Sequence, residues 1–309
     1  MKNEKWNAEN IPDQSGRIAI VTGSSSGIGF EAARVLANKK ATVIIAVRNL
    51  KKGYVAVEKI RAQNSDAKVE VMQLDLADLS SVEEFATEFA GKYSRLDLLI
   101  NNAGVMIPPY SKTVNGFELQ FGTNHLGHFA LTARLLPILN QTAGARIVNV
   151  SSGAHKQGKL DFDDLNWEKR KYSAWRAYGA SKIANLYFTY ELDRKLKANG
   201  SKTIVTAAHP GWTATELQRH TGVVEALNSV FAQGISMGAL PTLRAAVEPG
   251  LKGGEYFGPN GFMEMRGNPV PVPSNALSHD GSIARQLWEY SLDATGVRFP
   301  LGQMAASAA

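Results

Sequence analysis

Tyr178 and Lys182 stand four residues apart in Tyr178-Gly-Ala-Ser-Lys182, and a β-branched run ending Val148-Asn149-Val150-Ser151-Ser152 precedes them. Residues at i and i+4 of a helix share a face, so the ammonium can be held near the phenol. A free Tyr titrates at about 10, too high for proton transfer at neutral pH, whereas a fixed positive charge nearby favours the phenolate. Such a Tyr becomes usable as a general acid or base. Taken alone the pair has a bland alternative, chance spacing on an exposed amphipathic face, so its meaning depends on its surroundings.

A second group of residues is built to meet an anion. Thr22-Gly23-Ser24-Ser25-Ser26-Gly27-Ile28-Gly29 follows an apolar run and opens a helical stretch. Gly23, Gly27 and Gly29 let the backbone turn tightly and approach a pyrophosphate. Around Ser25, Ser26 and Ile28 the helix start offers free N–H groups and a positive dipole end. The ligand expected is a nicotinamide dinucleotide, the alternative being a Gly-rich turn with a purely structural purpose. After the next run comes Val47-Arg48-Asn49, a cation where a carboxylate would have accepted from a free ribose 2′-hydroxyl; Arg48 suits a 2′-phosphate and favours NADP(H) over NAD(H). Its other reading is a plain surface arginine. Asp75, followed by Leu76, either accepts from an adenine amino group or caps the helix beginning near Ser80.

These residues need a frame that gathers them. Runs at 17–22, 42–47, 69–74, 96–101, 146–151 and 203–208 alternate with helical stretches, and each is too uniformly apolar for a half-solvated strand. The pattern predicts a doubly wound parallel α/β sheet (Rossmann-type) in a single domain, 16–300, with helices on both faces and ligands at the carboxyl ends of the strands. A polar arm, 1–15, precedes it. Trp212, Leu217, Val223, Leu227, Val230 and Phe231 make 209–238 a candidate substrate lid. The Gly/Pro-rich stretch 250–274 reads as loop around one short strand at 255–257; a terminal helix is expected at 282–292 and a tail at 301–309.

The totals exclude several classes. The chain has 309 residues, 44% hydrophobic, enough for a sizeable core. It has no Cys, hence no disulfide, thiol nucleophile or thiolate metal site, which fits a reducing compartment and a cytoplasmic location. No run has membrane-span length. The net charge of +6 is scattered through helical segments without interleaved aromatics, so no nucleic-acid partner is expected. His155, Lys156 and His209 invite a metal reading, but three ligands in register are missing; surface histidines and no metal are expected.

The glycine pattern, Asn101-Asn102-Ala103-Gly104, Asn124, Ser151-Ser152 and Tyr178-x-x-x-Lys182 occur in an order that resembles the short-chain dehydrogenase/reductase family, from about Gly16 to Gly211. Asn124-His125-Leu126-Gly127-His128-Phe129, Ser151-Ser152-Gly153-Ala154-His155, the long insert before Tyr178 and His209-Pro210-Gly211 resemble its retinol dehydrogenase-like branch, and the opening Trp6 and Ile11-Pro12-Asp13-Gln14 resemble soluble bacterial members of that branch. The resemblance implies an enzyme interconverting a hydrophobic alcohol and its ketone or aldehyde. Tyr178 would move the proton, Ser152 would hydrogen-bond the substrate oxygen, Lys182 would hold the nicotinamide ribose and depress the Tyr178 pKa, and Asn124 would position a relay water. Asn101, Asn102, Ala103 and Gly104 would line the adenosine and ribose, and Pro210, Gly211 and Thr213 would meet the nicotinamide end, with a helix cap as the other reading of Thr213. Relatives supply both homo-oligomers, in which the Tyr/Lys helix packs on a partner, and monomers. Two alternatives remain at this stage: a C=C reductase of the protochlorophyllide reductase kind, against which the lack of Cys weighs, and a non-catalytic cofactor sensor. The insert between Ser152 and Tyr178, with Asp161, Asp163, Asp164 and Trp167, is expected to form an extra surface segment by the pocket.

Overall fold

The computed structural model describes residues 5–213 and 233–301. The apolar runs form β1 (Ile18–Thr22), β2 (Thr42–Val47), β3 (Val69–Gln73), β4 (Leu98–Asn101), β5 (Arg146–Val150), β6 (Ile204–Ala208) and β7 (Tyr256–Pro259). An eighth strand, β8 (Pro269–Pro271), which the Gly/Pro-rich sequence hid, runs antiparallel to β7. The sheet order is β3-β2-β1-β4-β5-β6-β7-β8, with the first seven parallel. The chain winds outward from β1 to β3, then returns past β1 to β4. That reversal opens a crevice at the carboxyl ends of β1 and β4, where ligands of open α/β sheets bind.

The helices are α1 (Gly27–Asn38), α2 (Leu50–Gln63), α3 (Leu79–Lys92), the short α4 (Leu119–Phe121), α5 (Gly127–Gln141), α6 (Ala174–Ala198), α7 (Ile235–Val247) and α8 (Gly281–Thr295). Strand alternation sends Ala19, Val21, Val43 and Ile45 to one layer with Leu36, Ile60 and Leu243. It sends Ile20, Ile44, Leu99 and Ile147 to the other with Phe85, Phe129, Phe188 and Trp288. Both faces are covered, which is why the strands lack polar alternation. Each fully buried Phe or Leu contributes about 1.5–3 kcal/mol, so the two layers fix the strand ends on which the site is built. A buried polar ladder adds register: the Asn101 amide donates to Thr132 Oγ1 (3.0 Å) and Asn149 Oδ1 (2.8 Å), and the Asn149 amide donates to Thr189 Oγ1 (3.0 Å).

The arm is packed rather than free. Trp6 and Ile11 are buried in the same cluster as α1 and α7. Most of the expected lid, 214–232, and the tail from 302 lie outside the described residues. Among the described residues no helix is long and apolar enough to cross a membrane.

Candidate active site

The crevice begins with close backbone packing at the ends of β1 and β4. Gly23 has φ +66°, and a Cβ on it would stand 2.8 Å from Ala103 Cα; a Cβ on Gly29 would stand 2.7 Å from the Gly23 carbonyl and collide with the Asn102 amide. Only glycine lets the two turns touch. Ser26 is the extended cap of α1, and its side chain does not bond the free N–H groups of the first turn, where Gly27 and Ile28 lie. A helix start left open in this way fits a pyrophosphate. Asn102 donates its amide to the Thr22 carbonyl (2.8 Å), and the backbone N–H groups of Asn102 and Ala103 both donate to Thr22 Oγ1 (2.9 Å each).

Arg48 lies just past β2, exposed, with no hydrogen bond or ion pair to the described residues. Asp75 does not cap α3. Asp78 does, accepting from Ser80 N (2.9 Å), because the helix starts at Leu79, beyond Asp75's reach. Asp75 Oδ1 instead closes a turn on Ala77 N (2.9 Å), and Leu76 is buried with its carbonyl against Gly127.

At the end of β5 the two serines diverge. Ser151 is buried and donates to the Lys182 carbonyl (2.8 Å); Ser152 faces Tyr178 and caps the turn Gly153–Gln157 by accepting from Ala154 N (3.2 Å). Tyr178 and Lys182 lie in the first turns of the 25-residue α6, both buried, with Lys182 Nζ 5.6 Å from the phenol ring centroid and donating to the Val150 carbonyl (3.2 Å). The expected lowering of Tyr178 by Lys182 is not what this geometry gives. Burial pushes the phenol up to about 12, opposed only by the Ser152 hydroxyl, and burial pulls Lys182 down to about 8.

Asn124 falls in a π-helical turn, Gly122–Leu126, between α4 and α5. Its Oδ1 accepts from Val105 N (2.8 Å), and its Nδ2 donates to the Val105 carbonyl (3.0 Å) and Ser181 Oγ (3.0 Å). The side chain thereby ties the loop after β4, with Gly104, to α6. One turn on, His128 was quoted in the sequence motif without a role. The Asn124 carbonyl can only accept, so His128 Nδ1 donates to it (3.0 Å), and Nε2 of the neutral ring accepts from Thr22 Oγ1 (2.9 Å), which itself accepts from two N–H groups. Burial pulls this His down to about 4, so the imidazole is neutral. The i, i+4 spacing from Asn124 was the signal available.

The insert is a clasp rather than a loose segment. The Arg170 guanidinium stacks 3.9 Å over Trp167 and pairs with Asp161 (2.7 Å), and Tyr172 donates to Glu118 Oε1 (2.8 Å). Trp175, 39% exposed, stands beside Tyr178 with ring centroids 6.2 Å apart. Its position was not anticipated, since an aromatic at a helix start carries no local signal. His155 and His209 are buried, not on the surface as expected, because β7 and the loop after it cover them. Pro210 accepts from Thr213 Oγ1 (2.9 Å) and the Gln233 amide (2.6 Å), Gly211 has φ +66°, and any helix that Thr213 caps lies outside the described residues.

The short chain dehydrogenase family model matches residues 17–224. Retinol dehydrogenase 13 of Homo sapiens is 41% identical over 296 residues, covering 92% of this chain and 86% of the relative. The chloroplastic short-chain dehydrogenase TIC 32 B of Brassica napus is 40% identical, covering 89% and 87%. Among solved structures, an uncharacterized protein from Mycobacterium Paratuberculosis superposes with a TM-score of 0.82 at 43% identity, covering 96% of this chain and all of that one. The Pseudomonas aeruginosa RhlG/NADP complex gives 0.63 at 26% identity, covering 78% and 94%. With a matching family model and relatives at this identity over most of its length, the chain belongs to the short-chain dehydrogenase family, in the retinol dehydrogenase-like branch, and is an oxidoreductase acting on CH–OH groups.

Proposed function

We propose that this chain interconverts a hydrophobic alcohol and its aldehyde or ketone, using NADP(H) in preference to NAD(H). The observation that carries the reading is the meeting of Ser152, Tyr178 and Lys182 at the end of β5, beside the Gly23–Gly29 turn. When bound, the nicotinamide supplies or accepts the hydride. The neutral Tyr178 phenol is a proton donor for a carbonyl oxygen during reduction, and Ser152 hydrogen-bonds the same oxygen. Lys182, titrating at about 8, sits close enough to physiological pH to pass a proton. Asn124 and His128 hold the surrounding backbone. Gly23, Ser25, Ser26, Gly27, Ile28, Gly29, Asp75, Leu76, Asn102, Ala103, Gly104, Pro210, Gly211 and Thr213 are assigned to the cofactor.

The unpaired Arg48 supports a 2′-phosphate, and two solved relatives, from Pseudomonas aeruginosa and Shigella flexneri, are NADP complexes. Trp175 beside Tyr178 supports an apolar substrate. The absence of Cys supports the cytoplasm. The test is oxidation of NADPH and NADH by the purified chain against a panel of aldehydes, ketones and quinones. Turnover with NADPH on apolar carbonyls is expected; cofactor binding with no turnover across the panel overturns the reading, and preference for NADH overturns the role of Arg48.

A further inference from the structure

One cluster of charge, grading from a buried His209 through Glu264 to a half-exposed Lys156, touches both flanks of the site. Glu264 ends the turn Phe262–Glu264, between β7 and β8, where Met263 (φ 49°) and Glu264 (φ 58°) are successive left-handed residues bearing side chains. Such a conformation persists only where the surroundings impose it. Glu264 Oε2 lies 3.1 Å from His209 Nε2 and 3.2 Å from Lys156 Nζ. His209 Nδ1 accepts from Gly211 N (3.3 Å), so the proton of a neutral ring sits on Nε2, facing the carboxylate. Apart from these contacts neither His209 Nε2 nor Glu264 Oε2 has a hydrogen-bond partner among the described residues. The His209 ring lies flat against Gly258 of β7, where any Cβ would strike it.

Each partner leads to a different wall. Lys156 belongs to the turn Gly153–Gln157 that Ser152 caps, and His209 leads into Pro210 and Gly211. The same loop reinforces the second link: the Met265 carbonyl accepts from Trp212 N (2.7 Å), and Gly267 N donates to Gln233 Oε1 (3.2 Å), whose amide holds the Pro210 carbonyl (2.6 Å). His209 keeps the Glu264 carboxyl below its usual range against the opposing pull of burial, with Lys156 adding to the effect.

We propose that Glu264 is a positioning residue that holds two walls in place: through His209 the Gly211 wall, and so the affinity for the nicotinamide end of the cofactor, and through Lys156 the Ser152 wall, and so the turnover of bound substrate. The inference rests on the assignment of Pro210 and Gly211 to that cofactor. Neither Glu264 nor His209 touches the reacting atoms.

The experiment is NADPH titration of the purified chain by tryptophan quenching, with kcat measured in parallel, on Glu264→Ala, Glu264→Gln and Lys156→Met. Glu264→Ala is expected to raise the NADPH Kd about tenfold and lower kcat. Glu264→Gln, whose amide oxygen still accepts from His209, is expected to recover the Kd to within about threefold of wild type. Lys156→Met, on a half-exposed side chain, is expected to lower kcat about threefold and leave the Kd unchanged, because it loosens the Ser152 wall alone. An unchanged Kd in Glu264→Ala, an equal loss in Glu264→Gln, or wild-type kcat in Lys156→Met overturns the proposal while the functional reading stands. A wild-type chain that binds neither NADPH nor NADH brings down both. The Lys156→Met arm decides the matter even where Glu264→Ala does not fold.

Discussion

The two flanks of the crevice are built by different means. At the ends of β1 and β4 the shape comes from backbone against backbone: Gly23 on Ala103, Gly29 on the Gly23 carbonyl, and two N–H groups on Thr22 Oγ1. At the ends of β5, β6 and β7 it comes from side chains reaching between distant segments, Ser152 to Tyr178, Lys182 beside Tyr178 and Glu264 to His209. The first flank offers a surface that fits a shared ligand. The second offers groups whose protonation and spacing can be altered without altering the fold, which is where differences of substrate and rate belong.

The contrast is open to direct attack. Tyr178→Phe is expected to lower kcat about a thousandfold while the NADPH Kd stays within about twofold, because the substitution removes a proton donor and leaves the binding surface intact. Parallel loss of binding would merge the two flanks into one. Gly29→Ala is the complementary blow: its methyl enters backbone, so a stability loss of about 2–3 kcal/mol in urea, with loss of cofactor binding, is expected where the Tyr178 change costs little.

A smaller effect concerns pH. Lys182 titrates at about 8 in the folded chain against 10.5 ordinarily, so between those values the unfolded chain binds more protons and stability rises with pH. Tyr178, at about 12 against 10, acts the opposite way, and its contribution is lost as pH climbs from 10 to 12. Thermal midpoints of the cofactor-free protein between pH 8 and 10 should rise relative to those of Lys182→Met, by the equivalent of about 2 kcal/mol; parallel curves would show that Lys182 is not desolvated as described. Smallest of these is Arg48→Ala, expected to weaken NADPH binding about tenfold with NADH binding unchanged, measured by the same quenching titration.

The sequence revealed the first flank more fully than the second for a physical reason. Gly23, Gly27 and Gly29 act within a single turn, so their spacing states that the backbone turns tightly and packs closely there, and six parallel strands announced themselves by continuous apolar runs that only a doubly covered sheet allows. Tyr178 and Lys182 were legible because helical spacing joins them. Glu264 was not, since it meets His209 across a separation of 55 positions and sits in a Gly/Pro-rich stretch with no periodicity. The same distance misled the reading of His155 and His209 as surface residues. Of the two readings left open for Asp75, the cap of α3 fails because Asp78, three residues on, takes that place, a distinction that a local preference for Asp cannot make.

β8 escaped notice because prolines at 269 and 271 argue against a strand, and those prolines also limit how copies of the chain can meet. Val272 N–H points inward to the Tyr256 carbonyl, so by alternation the N–H positions of Pro269 and Pro271 face outward, where proline has none to give. Arg244 covers the Pro269 carbonyl as well (2.6 Å). This end of the sheet is capped against growth, a second copy cannot lengthen it by strand addition there, and any assembly on that side has to be made through helices and side chains.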